Sequence, residues 1–483
     1  MSDVAGAFAC NRHSNAAKRG IVSPDHNGAK QLVEELFELV SLPWDQGNLQ
    51  LSGDWPLLAT SFHVGTLAQS TIAAAALAAG KLSVVRGGVA PQVEVDMHAA
   101  EAECTGYFQV DGRSPDSWAP LSGLYPCLDG YVRIHANFDH HRDGALALLG
   151  LKHETSTSKQ TVIQALSMLT CVEFETRAAA EGVPVYALRT FAEWDATPQA
   201  DWLASEPLLR ITKIGSAAPI SLPELEGRLP LSDLRVLDLT RILAGPTCGR
   251  ALANYGADVM LINSPHLPNI EHIADTSRGK RSAFLDLRQA EAVTQLKGLL
   301  GDSHVFVQGY RPGGLSNLGF GPEALAELRP GIISVSLSAF GREGPWADRR
   351  GFDSLVQTAT GFNHAEAKAA GATEPRALPV QILDFASGFL MAFATSVALV
   401  RQQEEGGSWQ VDISLAQTAH WLRSLGQLSD NFHSRKINLA SRLETETSGF
   451  GALSTIPHAA ILNCQSLSPR LPSMPPGSHE PVW

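Results

Sequence analysis

The chain lacks any closely spaced pair of cysteines. Cys10, Cys104, Cys127, Cys171, Cys248 and Cys464 stand far apart among 483 residues, with no CxxC and no neighbouring histidines to complete a ligand set. That spacing argues against a zinc site or a disulfide framework, and fits isolated buried thiols in a reducing compartment, so no metal is expected. A basic excess is also missing. With 37 Lys and Arg against 49 Asp and Glu, the formal net charge of -12 leaves no general cationic surface to meet a phosphate backbone. No nucleic-acid partner is expected, and an anionic ligand would need local cations working against the global field. Long apolar runs are scarce too. The opening MSDVAGAFACNRHSNAAKRG carries too short an apolar stretch for a signal peptide, and the Ala-rich run Thr71–Gly80 is too short to cross a bilayer. A soluble protein with no membrane partner is expected. The sequence closes on PVW rather than on a peroxisomal tripeptide, and a cytoplasmic location is expected, with mitochondria and peroxisomes left open.

What is present is a composition of 44% hydrophobic and 18% charged residues, that of a globular protein. The length suits two or three domains, since single cores seldom grow past about 250 to 300 residues. The Pro-rich segment SLPELEGRLPLSD (Ser221–Asp233) marks the main boundary, near residue 230. Beyond it, RVLDLT (Arg235–Thr240), the turn ILAGPTCG, the helical RALANY (Arg250–Tyr255) and the continuous apolar run ADVMLIN (Ala257–Asn263) make a βαβ unit. Further strands are expected at Ala283–Leu287, His304–Gln308 and Ile332–Ser336, with helices at Gln289–Leu300 and Pro322–Leu328. The alternation predicts an α/β fold with a Rossmann-like, doubly wound parallel sheet. The first half reads as a smaller α+β part, with helices at Gly28–Val40, Thr66–Ala79 and Val172–Glu181 and a short strand at Tyr131–His135.

Comparing the chain with itself aligns Ser61–Ala79 (SFHVGTLAQSTIAAAALAA) with Asp384–Gln402 (DFASGFLMAFATSVALVRQ). Each begins with a polar residue and Phe, places Gly four positions after that polar residue, and continues as an apolar helix. The pairs Val95-Asp96 and Val411-Asp412 follow both. The pattern reads as a partial duplication. Read from its residues alone, Asp384 is a helix cap.

The successive stretches RVLDLTRILAGPTCGRALANYGADVMLIN, RGKRSAFLDLR, VFVQGYRPGGLSNLGFGPEALAELRPGIISVSLSAFGREGPWADRRGFD and VQILDFASGFL resemble, in order, the signatures of the family III CoA-transferases, the CaiB/BaiF group. The likeness runs from about Leu231 to Trp421. In the first half, Gly123–Gly150 and Glu175–Trp194 resemble the start and end of that family's small domain, and the tail resembles its usual chain end. The resemblance implies an enzyme that moves CoA between an acyl-CoA and a carboxylic acid, with coenzyme A carried as the acyl-CoA substrate. It implies a nucleophilic Asp384, which would form a mixed anhydride and then an enzyme thioester. Backbone groups of Ala386-Ser387-Gly388 would stabilise the oxyanion, making Gly388 a second catalytic position. CoA would be met by the turn at Leu243–Thr247, with Ala244 and Gly245, by Arg278, Lys280 and Arg281, and by Gly309, Tyr310 and Arg311.

Departures accompany the likeness. Ser61 removes the carboxylate from the first copy, leaving one competent site. Asn263-Ser264-Pro265 replace an acidic and a basic residue found in many members, and Asn317 stands where some have arginine. Phe352 stands where the related α-methylacyl-CoA racemases carry a histidine, which disfavours two-base racemisation and leaves Asp353, His364 or His63 as substitute bases. A racemase-like enzyme and a non-catalytic CoA-binding paralogue are the alternatives. The expected parts are an N-terminal extension (1–50), a partial copy with the small domain (51–230), a Rossmann-like domain (231–430) and a tail returning to it (431–483). Either a homodimer or an intramolecular pseudo-dimer would bring large and small domains together.

Overall fold

The computed structural model describes residues 24–483 apart from positions 54, 117, 153, 155, 156, 430, 431 and 433–436. Cys10 and the opening twenty residues lie outside the described residues. The first half runs α1 (Pro24–Leu39), β1 (Leu49–Ser52), α2 (Val64–Val85), β2 (Val93–Asp96), α3 (Met97–Glu103) and β3 (Phe108–Val110). A small unit follows, of β4 (Gly123–Pro126), β5 (Tyr131–Ile134), α4 (Asp139–Leu148), α5 (Lys159–Leu166), α6 (Cys171–Ala180) and β6 (Val185–Ala187). Its three antiparallel strands close over a core of their own around Tyr125, Val132 and Phe174. The chain leaves this unit through α7 (Phe191–Asp195), α8 (Pro198–Ala204) and β7 (Leu209–Gly215).

The second half alternates as its apolar runs require: β8 (Arg235–Leu239), α9 (Ala244–Asn254), β9 (Asp258–Asn263), α10 (Ile273–Thr276), β10 (Lys280–Phe284), α11 (Ala290–Gly301), β11 (Val305–Gln308), α12 (Pro322–Leu328) and β12 (Ile333–Ser338). Then come α13 (Asp353–Ala359), α14 (Phe362–Ala369), α15 (Ile382–Glu405), β13 (Ser408–Ser414) and α16 (Leu415–Ser424). The chain closes with β14 (Glu444–Ser448), β15 (Gly451–Thr455), β16 (Ala460–Leu462) and β17 (Gln465–Ser466). The large sheet has the order β10-β9-β8-β11-β12-β13-β7, parallel except for β7. Strand order reverses between β8 and β11, so the crevice for a ligand lies at their carboxyl ends. Val236, Leu237, Val305, Phe306 and Val335 are buried, as a sheet covered on both faces demands.

The two halves repeat one arrangement. In the first, β1 and β2 pair in parallel across α2, and β16 adds antiparallel to β2. In the second, β12 and β13 pair in parallel with α15 between them, and β7 adds antiparallel to β13. Each half therefore lends its closing strand to the sheet of the other. The connecting helices α2 and α15 form the most extensive helix pairing among the described residues, with Ala73–Ala76 of one sharing a core with Phe389, Phe393 and Val397 of the other. Both helices are long and apolar enough to span a bilayer, yet 83% and 100% of their apolar windows are buried inside the protein.

Several expectations need correction. Residues 24–50 are no mere extension: Val33, Leu36 and Phe37 of α1 enter the main core, and β1 crosses the expected boundary to pair with β2. The tail returns first to the first half, through β15 on β3 and β16 on β2, and only its end reaches the large sheet, where His479 meets Ser282. The run Thr71–Gly80 belongs to a helix of 22 residues, because polar Gln69, Ser70 and Ser83 are carried inside it. Strand β10 starts three residues before its expected position, and α9 begins at Ala244, absorbing the turn.

Candidate active site

Asp384 is the third residue of α15, and its side chain opens on a cavity of about 330 Å³ at the carboxyl ends of β8 and β11. Helix α15 reaches this place because Gly388 lets it press on α9: a Cβ there would lie 2.5 Å from the Ala244 carbonyl oxygen. Helix α9 is in turn pressed on β8, where a Cβ on Gly245 would lie 2.4 Å from that of Thr240. At the turn between β8 and α9, Ile242 has φ 75°, a strained conformation for a β-branched residue, and it lines the cavity.

A second carboxylate sets the surroundings of Asp384. Asp353, fully buried at the start of α13, accepts the Asp384 amide at 2.9 Å through one oxygen and Gln357 Nε2 at 2.5 Å through the other. It thereby caps α15 from another helix. Burial pushes Asp353 up to about 7, against the lowering effect of these hydrogen bonds and of Arg133. Burial, and then the Asp353 charge, push Asp384 well above the usual carboxylate range. Close carboxylates of this kind hold protons that isolated ones would release.

The remaining walls are cationic and aromatic. Arg241, Arg311, Arg349 and Arg350 all line the cavity, which answers the need for local cations in an acidic chain. Arg241 donates to the Pro268 carbonyl and lies 5.6 Å from the Phe138 ring centroid. Arg349 sits over Trp346 at 4.1 Å and pairs with Glu175 at 3.8 Å. Arg311 and Arg350 have no carboxylate partner among the described residues, and burial and then the Arg311 charge lower Arg350. Two mutually repelling guanidiniums, one partly buried, make a site that an anion would relieve. From the first half, α4 and the residue before it contribute Phe138, His140 and His141. Burial above all holds His141 down at about 3, so it is neutral near pH 7.

The expected residues divide cleanly. Asp384, Ala244, Gly309, Tyr310 and Arg311 come together around this one cavity. Gly388, expected as a second catalytic position, is the point of close packing against α9 and does not line the cavity. Helical bonding in α15 begins with Phe385 N to Gln381 O at 3.1 Å, which places the amides of Ala386-Ser387-Gly388 within the helical ladder. Gly245 likewise serves the contact with Thr240. The cations of RGKR are misassigned. Lys280 is fully buried, donating to Asp238 at 2.7 Å and to the Pro246 carbonyl at 2.8 Å. Arg278 is held by Asp275 at 2.7 Å, and Arg281 by Asp258 at 3.0 Å. The physical reason is polarity: these residues precede or begin β10, at the edge of the sheet opposite the ligand crevice. Of the substitute bases, Asp353 holds the α15 amide, His364 is exposed on α14, and His63 stands at the start of α2; none of the three lines the cavity. Phe352 itself stacks on His135 with centroids 4.0 Å apart.

Sequence reasoning passed over Arg349 and Arg350, although they immediately precede the Gly351-Phe352-Asp353 triplet, and over His140 and His141, which stood in the quoted small-domain stretch. At the position matching Asp384, Ser61 is buried and donates its hydroxyl to Glu366 at 2.6 Å. A neighbouring cavity of about 290 Å³ shares Tyr310 to Pro312 with the first but does not include Asp384.

Residues 231–438 match the model of "CoA-transferase family III". Among similar proteins, an acetyl-coenzyme A transferase of Hypoxylon pulicicidum is 35% identical over 208 residues, covering 42% of this chain and 35% of that one. An acyl-CoA transferase of Gibberella moniliformis is 29% identical over 314 residues, 61% of this chain and 55% of the relative. A succinate–glutarate CoA-transferase of Agrobacterium fabrum is 32% identical over 205 residues, 38% and 51% of the two chains. The chain thus spans between 35% and 55% of the length of these relatives. A solved CaiB/BaiF family protein from Brucella suis is 26% identical over 46% of this chain and 65% of its own, with a TM-score of 0.37.

Proposed function

Taking residues 231–438 as a CoA-transferase family III domain, we propose that the protein moves CoA between an acyl-CoA and a carboxylic acid at one site built from both halves of the chain. The observation that supports this reading is a buried carboxylate, Asp384, lining a cavity walled by four arginines of the second half and by Phe138, His140 and His141 of the first. In this reading the Asp384 carboxylate attacks the thioester carbonyl, CoA thiolate leaves, and a mixed anhydride remains. The thiolate then attacks the aspartyl carbonyl, releasing the first acid and leaving an enzyme thioester, from which the second acid accepts CoA by the same steps reversed.

The chain's own residues divide the work. Asp353 holds the N-terminus of α15, and with it Asp384, in place. Arg311 and Arg350 meet phosphate or carboxylate groups of the substrates, and the loop Gly309-Tyr310-Arg311 bounds the pantetheine path. The poor solvation that raises Asp384 also strips it of stabilising donors, so its ionised form is a stronger nucleophile. Residues 51–230 supply the small domain, and residues 231–430 the Rossmann-like domain, of one intramolecular pseudo-dimer. Relatives named for succinate, glutarate and D-citramalate make dicarboxylic acids the first acceptors to assay. Substituting Arg311 and Arg350 by alanine is expected to raise KM for the acyl-CoA about 10-fold or more each. Unchanged KM in both variants would remove the cationic wall from the proposal.

A further inference from the structure

Cys127 and Cys171 are separated by more than forty residues in sequence, yet the small unit brings them together. Cys127 opens the turn between β4 and β5, and its amide donates to the Gly130 carbonyl at 2.8 Å. Cys171 is the first residue of α6, and its amide donates to Asp129 of that same turn at 2.8 Å. A third bond, Leu128 N to Leu169 O at 3.0 Å, completes the clamp between turn and helix. The sulfur of Cys171 lies 3.3 Å from where a Cβ on Gly130 would stand, and Cys127 packs on the apolar cluster that includes Cys171.

The two thiols differ in the way a reactive pair requires. Cys127 is half-buried beside exposed Leu128 and Asp129, whereas Cys171 is 6% exposed. A hydrogen bond from the Cys171 thiol lowers Cys127 from the ordinary thiol range and raises Cys171. The more exposed residue of the two is thus the one pushed toward the thiolate, and the covered one is pushed toward the thiol. Cys104 and Cys248 are sealed in the main core, and Cys464 sits exposed on the distant β16–β17 turn.

We propose that Cys127 and Cys171 form a redox-reactive dithiol that takes a hydroperoxide as oxidant and closes reversibly to a disulfide. The Cys127 sulfur attacks the terminal peroxide oxygen and the O–O bond breaks. One oxygen stays on sulfur as sulfenic acid; the other leaves with a proton as water, or as an alcohol from an organic hydroperoxide. The Cys171 sulfur then displaces the hydroxyl, forming the S–S bond and releasing water, its own proton going with the leaving group. Two thiols are oxidised by two electrons and one peroxide is reduced. This chemistry is independent of the acyl-transfer reading.

The test uses the full chain, reduced, treated with hydrogen peroxide, alkylated and digested without reductant. The expected result is a linked peptide joining Cys127 to Cys171, lighter by two hydrogens than its parts, that separates on treatment with dithiothreitol. In Cys171→Ser, dimedone is expected to capture a sulfenic acid at Cys127. Full alkylation of both wild-type thiols after peroxide, over-oxidation of Cys127 without linkage, or linkage to another cysteine would overturn the proposal. Mapping of the wild-type chain decides the matter even where the variant fails to fold.

Discussion

Helices α2 and α15 share a strand-helix-strand setting and pack on each other, and one aligned position sets their surroundings apart. Ser61 stands before α2 and gives its hydroxyl to Glu366; Asp384 stands in the first turn of α15 and faces a cavity. Around the first there is a remnant sheet, β1-β2-β16-β17; around the second there is a complete parallel sheet with a switch point. The difference teaches that a repeated crossover unit is sufficient for the core, whereas a carboxylate that faces a cavity also needs β8, β9 and β11 to shape a crevice beside it. The half without that crevice has kept its packing role, and it contributes the small unit that walls the other half's site.

The largest expected effect breaks the comparison at its reactive end. Asp384→Asn is expected to lower kcat/KM for CoA transfer by about 10⁴-fold, since the covalent route is lost. The same substitution is expected to raise Tm, because it removes a carboxylate that burial keeps from ionising easily. A fall in both quantities would mean that Asp384 is structural. The complementary change, Ser61→Asp, places a carboxylate against buried Glu366 and is expected to cost about 3 kcal/mol in chemical denaturation, with no added transfer activity. A doubled turnover in that variant would show that the two settings are equivalent after all.

Acidity sharpens the contrast further. In the proposed route the carboxylate form of Asp384 attacks, and its folded-state affinity for protons is raised, so kcat/KM is expected to climb as pH rises, with its acid limb well above the usual carboxylate range. Asp353→Asn, which removes the neighbouring charge, is expected to move that limb to lower pH. Stability carries the opposite slope. Between about 4, where an unfolded aspartate ionises, and about 7, where Asp353 does, the unfolded chain has released protons that the folded chain keeps. Unfolding free energy contributed by this pair is present below that window and declines as pH rises through it; a flat profile in wild type relative to the Asp384→Asn, Asp353→Asn double variant would contradict the assignment. The smallest effect concerns Arg281. Its half-exposed pairing with Asp258 predicts that Arg281→Ala leaves KM unchanged and alters stability by about 0.5 kcal/mol or less.

The parallel sheet was legible because its strands are continuous apolar runs, and Pro322–Leu328 falls where its Pro and its periodicity place it. The repeated strand-helix-strand arrangement was legible from the shared spacing of Gly65 and Gly388, although what those glycines meet, the Glu101 carboxylate and the Ala244 carbonyl of α9, emerges only in three dimensions. The basic run RGKR misled because charge in a sequence has no direction: Lys280 lies inside the protein against Asp238, at the wrong end of β10. Strand polarity, read with the switch-point rule, would have placed those cations away from the crevice and drawn attention to Arg349 and Arg350 instead. Long-range encounters had no local signature. The capping of α15 by Asp353, thirty-one residues earlier, and the meeting of Cys127 with Cys171 depend on tertiary closure that spacing alone does not reveal.

The most direct measurement is to incubate the protein with an acyl-CoA and hydroxylamine and to search its peptides for a modified aspartate by mass spectrometry. The account predicts a hydroxamate at Asp384, dependent on acyl-CoA and absent from the Asp384→Asn variant. Turnover of acyl-CoA with no adduct at Asp384, or an adduct on another carboxylate, would contradict it.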